Sequence, residues 1–251
     1  MQQEEVHAQL ARVYDPELDE PLTELGFIGG VSIADGTVEV GFRLPTYWCA
    51  GNFAFMMASD IRERVLELPW VKQVEVRLQD HFLDEEINAG VNGGKSFQKT
   101  FPDETTEDLQ ELRETFRAKA FHARQERLLR LLIRERWQEE RILRLQVGEL
   151  TGLLKGATWQ TLVERFLEVR QQRGLSGDPE ALAFSHPDGT PIDTTNLHSY
   201  LREAASMRLT MEFNSTLCRG MLKTRYGEIE ESDKPLAVSV ACASGCSSKC
   251  S

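Results

Sequence analysis

The sequence predicts an α+β fold: a small domain in the order helix, strand, strand, helix, strand, then a mainly helical second domain and a flexible Cys-rich tail. Three observations support this. Apolar and polar residues alternate around an Asp-Gly turn, helix-spaced apolar residues flank that region, and a stretch rich in Leu, Arg and Glu follows residue 104. With 251 residues and 41% hydrophobic content, the chain can build the cores that two domains need.

The first domain is expected over residues 1–87 and begins with a helix. Apolar residues recur at helical spacing from Val6 to Val13, and the pattern stops before Pro16. We expect this helix to cover one face of a short sheet.

A hairpin, a helix and a further strand follow in the first domain. The alternation on both sides of Asp35-Gly36 predicts the hairpin, because this dipeptide is typical of a tight two-residue turn. Residues 53–68 carry apolar side chains at helical spacing, and residues 74–78 alternate again as a strand. These elements complete the predicted small domain.

The rest of the chain is divided by composition. Residues 88–103 contain three glycines and are expected to form a linker. Residues 104–226 are expected to form a mainly helical accessory domain. One or two long helices are predicted at its start, and a turn near residues 185–189. Residues 227–251 are polar and Cys-rich, and we expect them to lack order without a ligand.

Charge and hydropathy exclude several classes of protein. Residues 1–103 carry 8 Lys and Arg against 18 Asp and Glu, and residues 104–144 carry 10 against 9. Neither segment supplies the basic face that nucleic-acid binding needs, so no nucleic-acid partner is expected. No apolar run approaches the roughly 20 residues of a membrane helix, and the acidic start lacks the features of a secretory signal, so a cytoplasmic protein with no membrane partner is expected.

Cys49 is the first candidate site residue. It lies in the aromatic-flanked loop of residues 44–51, just before the predicted helix. Backbone N–H groups and the positive end of the helix dipole would favour its thiolate there, which suits both metal ligation and nucleophilic attack. The alternative is an ordinary core cysteine.

Three cysteines at every fourth position near the end of the chain form the second candidate site. They are Cys242, Cys246 and Cys250. Three thiolates can hold an iron–sulfur cluster with one iron open, or supply three ligands to a metal that Cys49 or a partner completes. The alternative is a tail whose cysteines have no role, because this spacing is not typical of zinc sites.

Polar residues near the first domain's helices supply further candidates. Asp15 and Glu17 flank Pro16, where they could serve the site or simply end the first helix. His81 follows the third strand, next to an acidic run. It is either a ligand that suits iron(II) or a surface or capping residue. Cys218 is interpreted as a packing residue.

The order of these motifs resembles a known family. Asp15-Pro16-Glu17, the hairpin, and Thr46 three residues before Cys49 at the head of a helix resemble the small iron–sulfur cluster assembly domain, over roughly residues 4–80. That family includes the cytosolic iron–sulfur targeting subunit of eukaryotes, bacterial SufT and the phenylacetate-pathway protein PaaD. The longer chain resembles an extended version associated with operons for soluble diiron monooxygenases.

The resemblance implies a maturation factor that is not an enzyme. It implies that Cys49 is the metal-linked thiol, Asp15 and Glu17 the acidic motif beside it, and Thr46 a hydroxyl that orders the loop. The cargo would be an iron–sulfur cluster or iron, held transiently, and the partners a client apo-metalloenzyme and the iron–sulfur assembly machinery. A soluble diiron monooxygenase is the suggested client.

Other functions remain open from the sequence alone. The chain could be a metal-free folding adapter, or chaperone, for an oxygenase subunit. It could also be a thiol enzyme with Cys49 as nucleophile, although no histidine partner is evident in the sequence. The sequence leaves the oligomeric state open, a homodimer included.

Overall fold

The computed structural model describes residues 1–102 and 109–227, and it confirms the α+β class. The predicted order of helix, hairpin, helix and strand is present at the start of the chain, and helices dominate the rest. Two short strands and short helices, which the sequence did not indicate, are inserted into this pattern.

The first part of the chain contains five strands and five helices. In chain order they are α1 (Gln2–Leu10), β1 (Tyr14–Asp15), β2 (Glu20–Pro21), α2 (Leu22–Leu25), β3 (Ile28–Ala34), β4 (Thr37–Arg43), α3 (Gly51–Leu66), β5 (Gln73–Gln79), α4 (Asp84–Asn92) and α5 (Phe97–Thr100). Strands β1 and β2 form a small antiparallel pair. The other three form a sheet in the order β3-β4-β5, antiparallel between β3 and β4 and parallel between β4 and β5.

The hairpin forms where the sequence predicts it. Asp35 has φ 51° and Gly36 has φ 85°, so both turn residues are left-handed, as a two-residue turn of this kind requires. Strand β4 then places Val38, Val40 and Phe42 on the buried face of the sheet. Helix α3 packs over the same face of the sheet, mainly against β5, and shares one core with β4.

The interpretation of residues 88–103 as a linker does not fit the described part of that segment, because residues 88–102 contain the end of α4 and all of α5 and pack on the first core. Helix α4 lies along the free edge of β5, where the Asn88 side chain bonds both backbone groups of Leu78 and the Asn92 side chain bonds both of Val76, at 2.8–3.0 Å. These amides take the place of a neighbouring strand and cover the sheet edge. Gly90 is a packing residue, since a Cβ there would lie 2.4 Å from the Thr100 hydroxyl.

The second part of the chain is helical and has its own core. Its helices are α6 (Leu109–Arg134), α7 (Glu139–Ile142), α8 (Val147–Leu153), α9 (Ala157–Gln172) and α10 (Thr194–Tyr226). The expected turn near residue 188 lies before α10, where Gly189 donates to the His186 carbonyl. Within residues 1–102 and 109–227, no helix is both long and apolar enough to cross a membrane.

Helix α10 connects the two cores. Its 33 residues span about 50 Å. Near its start, Leu197 and Leu201 belong to the helical core, and near its end Leu222 belongs to the core of the first domain. The accessory helices are therefore packed against the α+β domain by a continuous element.

Arginines of the helical part pair with carboxylates of the first part. The four pairs are Arg113 with Asp60, Arg124 with Asp19, Arg165 with Glu24, and Arg219 with Glu20. Part of the acidic excess of residues 1–103 is therefore used in ion pairs within the protein.

The pair between Arg124 and Asp19 is the buried one. Its side chains are only 7% and 6% exposed, and the guanidinium contacts both carboxylate oxygens at 2.7–3.1 Å. Arg124 also donates to the Arg165 carbonyl and lies 4.7 Å from the centre of the Tyr14 ring. Loss of one partner would leave a buried charge without compensation.

We expect Arg124→Met to lower the free energy of unfolding by about 3–5 kcal/mol, because the Asp19 carboxylate would remain buried and unpaired. Urea unfolding followed by circular dichroism measures this. Arg117→Met is the matched control: Arg117 pairs with Glu114 in a more exposed position, 31% and 39%, and should cost less than about 1 kcal/mol.

The double variant Arg124→Met with Asp19→Asn should regain part of the lost stability, since it removes the lone charge and Asn tolerates the left-handed backbone of Asp19. Equal losses for Arg124→Met and Arg117→Met would contradict the assignment.

Candidate thiol site

Cys49 lies in a loop between β4 and α3, as the sequence predicts. The loop follows the end of β4 at Arg43, and α3 begins at Gly51, two residues after Cys49. The Cys49 side chain is partly buried against the first core, and its sulfur lies 3.3 Å from the Thr46 hydroxyl oxygen at hydrogen-bond distance. Thr46 is therefore a hydrogen-bond partner of the Cys49 thiol within the loop.

His81 fixes the backbone of this loop from the other side. Its Nε2 lies 2.7 Å from the Cys49 carbonyl oxygen, and its Nδ1 accepts the Leu83 N–H at 3.1 Å. Because Nδ1 accepts, the proton of the neutral ring lies on Nε2, which donates to Cys49. Burial lowers the pKa of His81, more than its bond to Cys49 raises it, so the neutral ring is favoured.

Both ring nitrogens of His81 are therefore engaged by the backbone. In this arrangement neither nitrogen is free for a metal, and the residue acts on the Cys49 loop by holding its main chain. The sequence signal, a histidine after a strand beside an acidic run, could not distinguish these roles, because the bond to Cys49 joins residues 32 positions apart.

Asp15 shapes the acidic motif. Its Oδ1 accepts the N–H groups of Glu17 and Leu18, both at 2.9 Å, and the side chain is 8% exposed. Burial, only partly offset by these two hydrogen bonds, raises the pKa of Asp15 to about 6. Glu17 is exposed at the surface of the same turn. Helix α1 already ends at Leu10, so Asp15 does not terminate it; Asp15 lies in β1 and orders the turn that follows.

The structure brings Cys218 to this region, which the sequence interpretation as a simple packing residue missed. Cys218 is partly buried on α10 and packs against the same core as Cys49. Burial, together with the negative charges of Asp15, of Cys49 as thiolate and of Glu17, raises the pKa of the Cys218 thiol to about 11. These charges act on Cys218 because α10 passes over the acidic motif. No spacing in the sequence could show a contact between residues so far apart.

An exposed aromatic cluster borders Cys49. Trp48 is 74% exposed. Its ring centre lies 4.9 Å from that of Tyr47 and 5.4 Å from that of Phe82. Backbone bonding joins the two segments, because the Phe82 N–H donates to the Tyr47 carbonyl at 3.2 Å. Apolar rings so exposed beside a thiol are typical of a contact surface for another molecule.

Helix α10 extends this apolar surface. Leu209, Phe213 and Leu217 recur every fourth residue and are 52–70% exposed, so they form one stripe. A shallow groove between this stripe and the Cys49 loop is lined by Pro45 and Thr46 on one side. We call this stripe, with the groove, the α10 face.

The described residues do not form a ready metal centre. Within residues 1–102 and 109–227, no group of three or more His, Cys, Asp and Glu side chains is arranged to hold a metal ion. The predicted ligands Cys242, Cys246 and Cys250 lie outside the described residues. A metal at Cys49 would therefore need ligands beyond those that the described part of the chain arranges in advance.

The fold and the site define a class: a small α+β domain that presents a thiol on a loop held by a threonine, with an acidic motif near it and no preformed metal centre in the described residues. Comparison with known proteins agrees with this class. Residues 3–77, from α1 into β5, match the family described as iron-sulfur cluster assembly protein. No curated protein and no solved structure gave a match.

This match covers the N-terminal domain and includes Asp15, Glu17, Thr46 and Cys49. It supports the family resemblance of that domain and a general role in cluster assembly or maturation. His81, Cys218 and the accessory helices lie beyond it.

We expect Asp15→Asn to change how stability depends on pH. The folded-state pKa of Asp15 is raised to about 6, so folding favours the protonated carboxyl group. The wild type therefore loses stability as the pH rises from about 4 through about 6. Above about pH 6 this loss is complete. Asn cannot ionise but can still accept both N–H bonds. The variant should gain up to about 3 kcal/mol relative to wild type between pH 4 and pH 7.

Urea unfolding at several pH values measures this difference, and any constant effect of the amide cancels from it. Parallel stability curves for the two proteins would contradict the assignment.

Proposed function

We propose that this protein is a cytoplasmic maturation factor that holds iron or an iron–sulfur cluster transiently and passes it into a client apo-metalloenzyme. The observation that carries the proposal is the Cys49 thiol, held by Thr46 in a loop whose aromatic neighbours are exposed. The family match of the surrounding domain supports it. On this proposal the protein has no catalytic turnover of its own.

The arrangement fits a carrier better than a resident metal centre. A permanent site needs a full set of ligands, and transfer is easier from a site with open positions. Cys49 would be the anchoring ligand, with Asp15 and Glu17 supplying negative charge and His81 holding the loop. Cys242, Cys246 and Cys250 would supply further thiolates, either to collect the cargo or to complete its coordination.

The α10 face would dock the client. It borders the Cys49 loop, so a protein seated on it would have its own metal site near the thiol. We further propose a soluble diiron monooxygenase as the client and the iron–sulfur assembly machinery as the source of the cargo, on the strength of the family resemblance of the extended chain. The operon in which the gene lies would identify the client class.

The first test is anaerobic expression followed by iron and sulfide analysis and spectroscopy. We expect the wild type to carry iron, and Cys49→Ser to lose it and to reduce client activation by more than about tenfold, because outer-shell contacts alone are worth 10–100-fold at metal sites. A chain truncated after Ala241 isolates the contribution of the tail cysteines. Absence of iron from all three proteins, with the client still activated, would refute metal handling.

A metal-free folding adapter is the second candidate, and the exposed α10 face is the observation that favours it. The two functions differ in their dependence on Cys49. An adapter would support the client normally after Cys49→Ser but would fail when its docking surface is changed.

We expect the double variant Phe213→Glu with Leu217→Glu to weaken client capture at least about tenfold, because two exposed apolar contacts would become charged. A pull-down with the purified client subunit measures this. Leu182→Glu is the matched control: Leu182 is 38% exposed and pairs with Gln146, outside the α10 face, so its change should have no effect. Equal capture by the double variant and the control would exclude docking at this face.

A further inference from the structure

We propose that Cys49 and Cys218 form a two-thiol site, at the junction of the α+β domain and α10, that binds a borderline divalent cation such as Fe²⁺. This inference rests on the proposed function and adds to it a second ligand, from a helix outside the region that matches the assembly family. Four observations lead to it.

The first observation is the direction in which α10 presents Cys218. The inward face of this helix carries the buried Met211, Ser215 and Leu222 and the partly buried Cys218, at steps of four, three and four residues in chain order. Residues at this spacing lie on one face of the helix, and the exposed Phe213 lies on the opposite face. Leu222 belongs to the core of the first domain, so Cys218 one turn earlier is directed toward that domain.

The second observation is that this part of α10 is fixed at both ends of the site. Arg219, next to Cys218, donates to the Glu20 carboxylate and to the Glu24 carbonyl beside the acidic motif. Arg225 donates to the Leu44 carbonyl at 3.2 Å, at the start of the Cys49 loop. The turn of helix that carries Cys218 therefore lies between the acidic motif and the Cys49 loop.

The third observation is that both thiols pack on one core and are partly exposed. The groove of the α10 face confirms how close the two segments come, since Thr46 and Leu217 line it together. Thr46 contacts the Cys49 sulfur and Leu217 precedes Cys218. A small cation can reach both segments from solvent.

The fourth observation is the local charge. The carboxyl groups of Asp15 and Glu17 lie close enough to Cys218 for their charge to act on its sulfur. A cation held between the two sulfurs would be attracted by this negative charge. A thiol that bonds the metal gives up its proton to solvent.

The site provides two thiolate ligands, with carboxylate charge nearby. Asp15 already accepts two backbone N–H bonds and so contributes its charge more readily than a metal bond. The remaining coordination positions stay available to water or to ligands of the cargo's next holder. Such a site binds more weakly than a four-ligand centre, which suits a factor that must release its cargo.

The test uses the full chain with Cys242, Cys246 and Cys250 all changed to Ser, so that only Cys49 and Cys218 carry thiols. Two measurements are made anaerobically: bridging by dibromobimane, which fluoresces only when two neighbouring thiols react, and titration with Co²⁺, whose thiolate charge-transfer absorption grows with the number of bound sulfurs. We expect a bimane bridge, and a Co²⁺ absorption that Cys218→Ser lowers to about half while weakening Co²⁺ binding at least tenfold.

The control keeps two thiols but separates them. Thr210→Cys in the Cys218→Ser background places a thiol two turns, about 12 Å, further along α10 and should restore neither signal. Cys218→Ala serves as a second variant, and thermal unfolding verifies that each protein is folded.

Absence of the bimane bridge, or an unchanged Co²⁺ spectrum and affinity in Cys218→Ser and Cys218→Ala, would overturn the two-thiol site and leave Cys49 as the sole thiol ligand. Failure of the proposed function would look different: Cys49→Ser in the otherwise natural chain would still activate the client.

Discussion

The buried ion pair between Arg124 and Asp19 determines how the accessory helices sit on the α+β domain. A pair this buried stabilises the folded protein only when both charges are present and well bonded, because each one alone would carry a large desolvation cost. Asp19 ends the same turn that Asp15 begins, and its N–H donates to the Asp15 carbonyl at 2.9 Å. The acidic motif is thus organised internally by Asp15 and anchored externally through Asp19.

The rest of the site depends on that anchoring. With α6 fixed against the motif, α10 packs beside α6 and extends across the first core to the Cys49 loop. Glu20 pairs with Arg219 of α10, and Glu24 pairs with Arg165 of α9. The few residues after Asp15 therefore form the main polar contact between the two parts of the chain. The candidate site is therefore assembled from three distant segments: the acidic motif, the Cys49 loop and the second half of α10.

The sequence predicted the elements whose signals are local. The hairpin at Asp35-Gly36, the helix after Cys49 and the strand near residue 76 follow from turn chemistry and periodicity within short windows. The linker assignment failed because glycine and asparagine have more than one use. In α4 they allow close packing and bond a sheet edge, and only the tertiary contact reveals this.

The same limit applies to the site. Cys49 could be found because the local motif around it resembles a family, and Thr46 because it lies three residues away in the same loop. Cys218 carries no local signal, since its relevance comes from a helix that crosses to another domain. The Nε2 atom of His81 likewise finds its partner, the Cys49 carbonyl, only in three dimensions. Sequence identified the thiol, and the structure identified what surrounds it.

The charges around Cys49 also bear on when a client would bind. In an empty site the charges of Asp15 and Glu17 act on each other without compensation, and covering them with a docked protein would remove the water that screens their repulsion. A bound cation compensates that charge, so the proposed factor should favour its client when loaded. Once the cation has moved to the client, the negative charges are again uncompensated beneath the interface. Their repulsion then favours separation, so that the acidic motif would promote both docking of the loaded factor and release of the empty one.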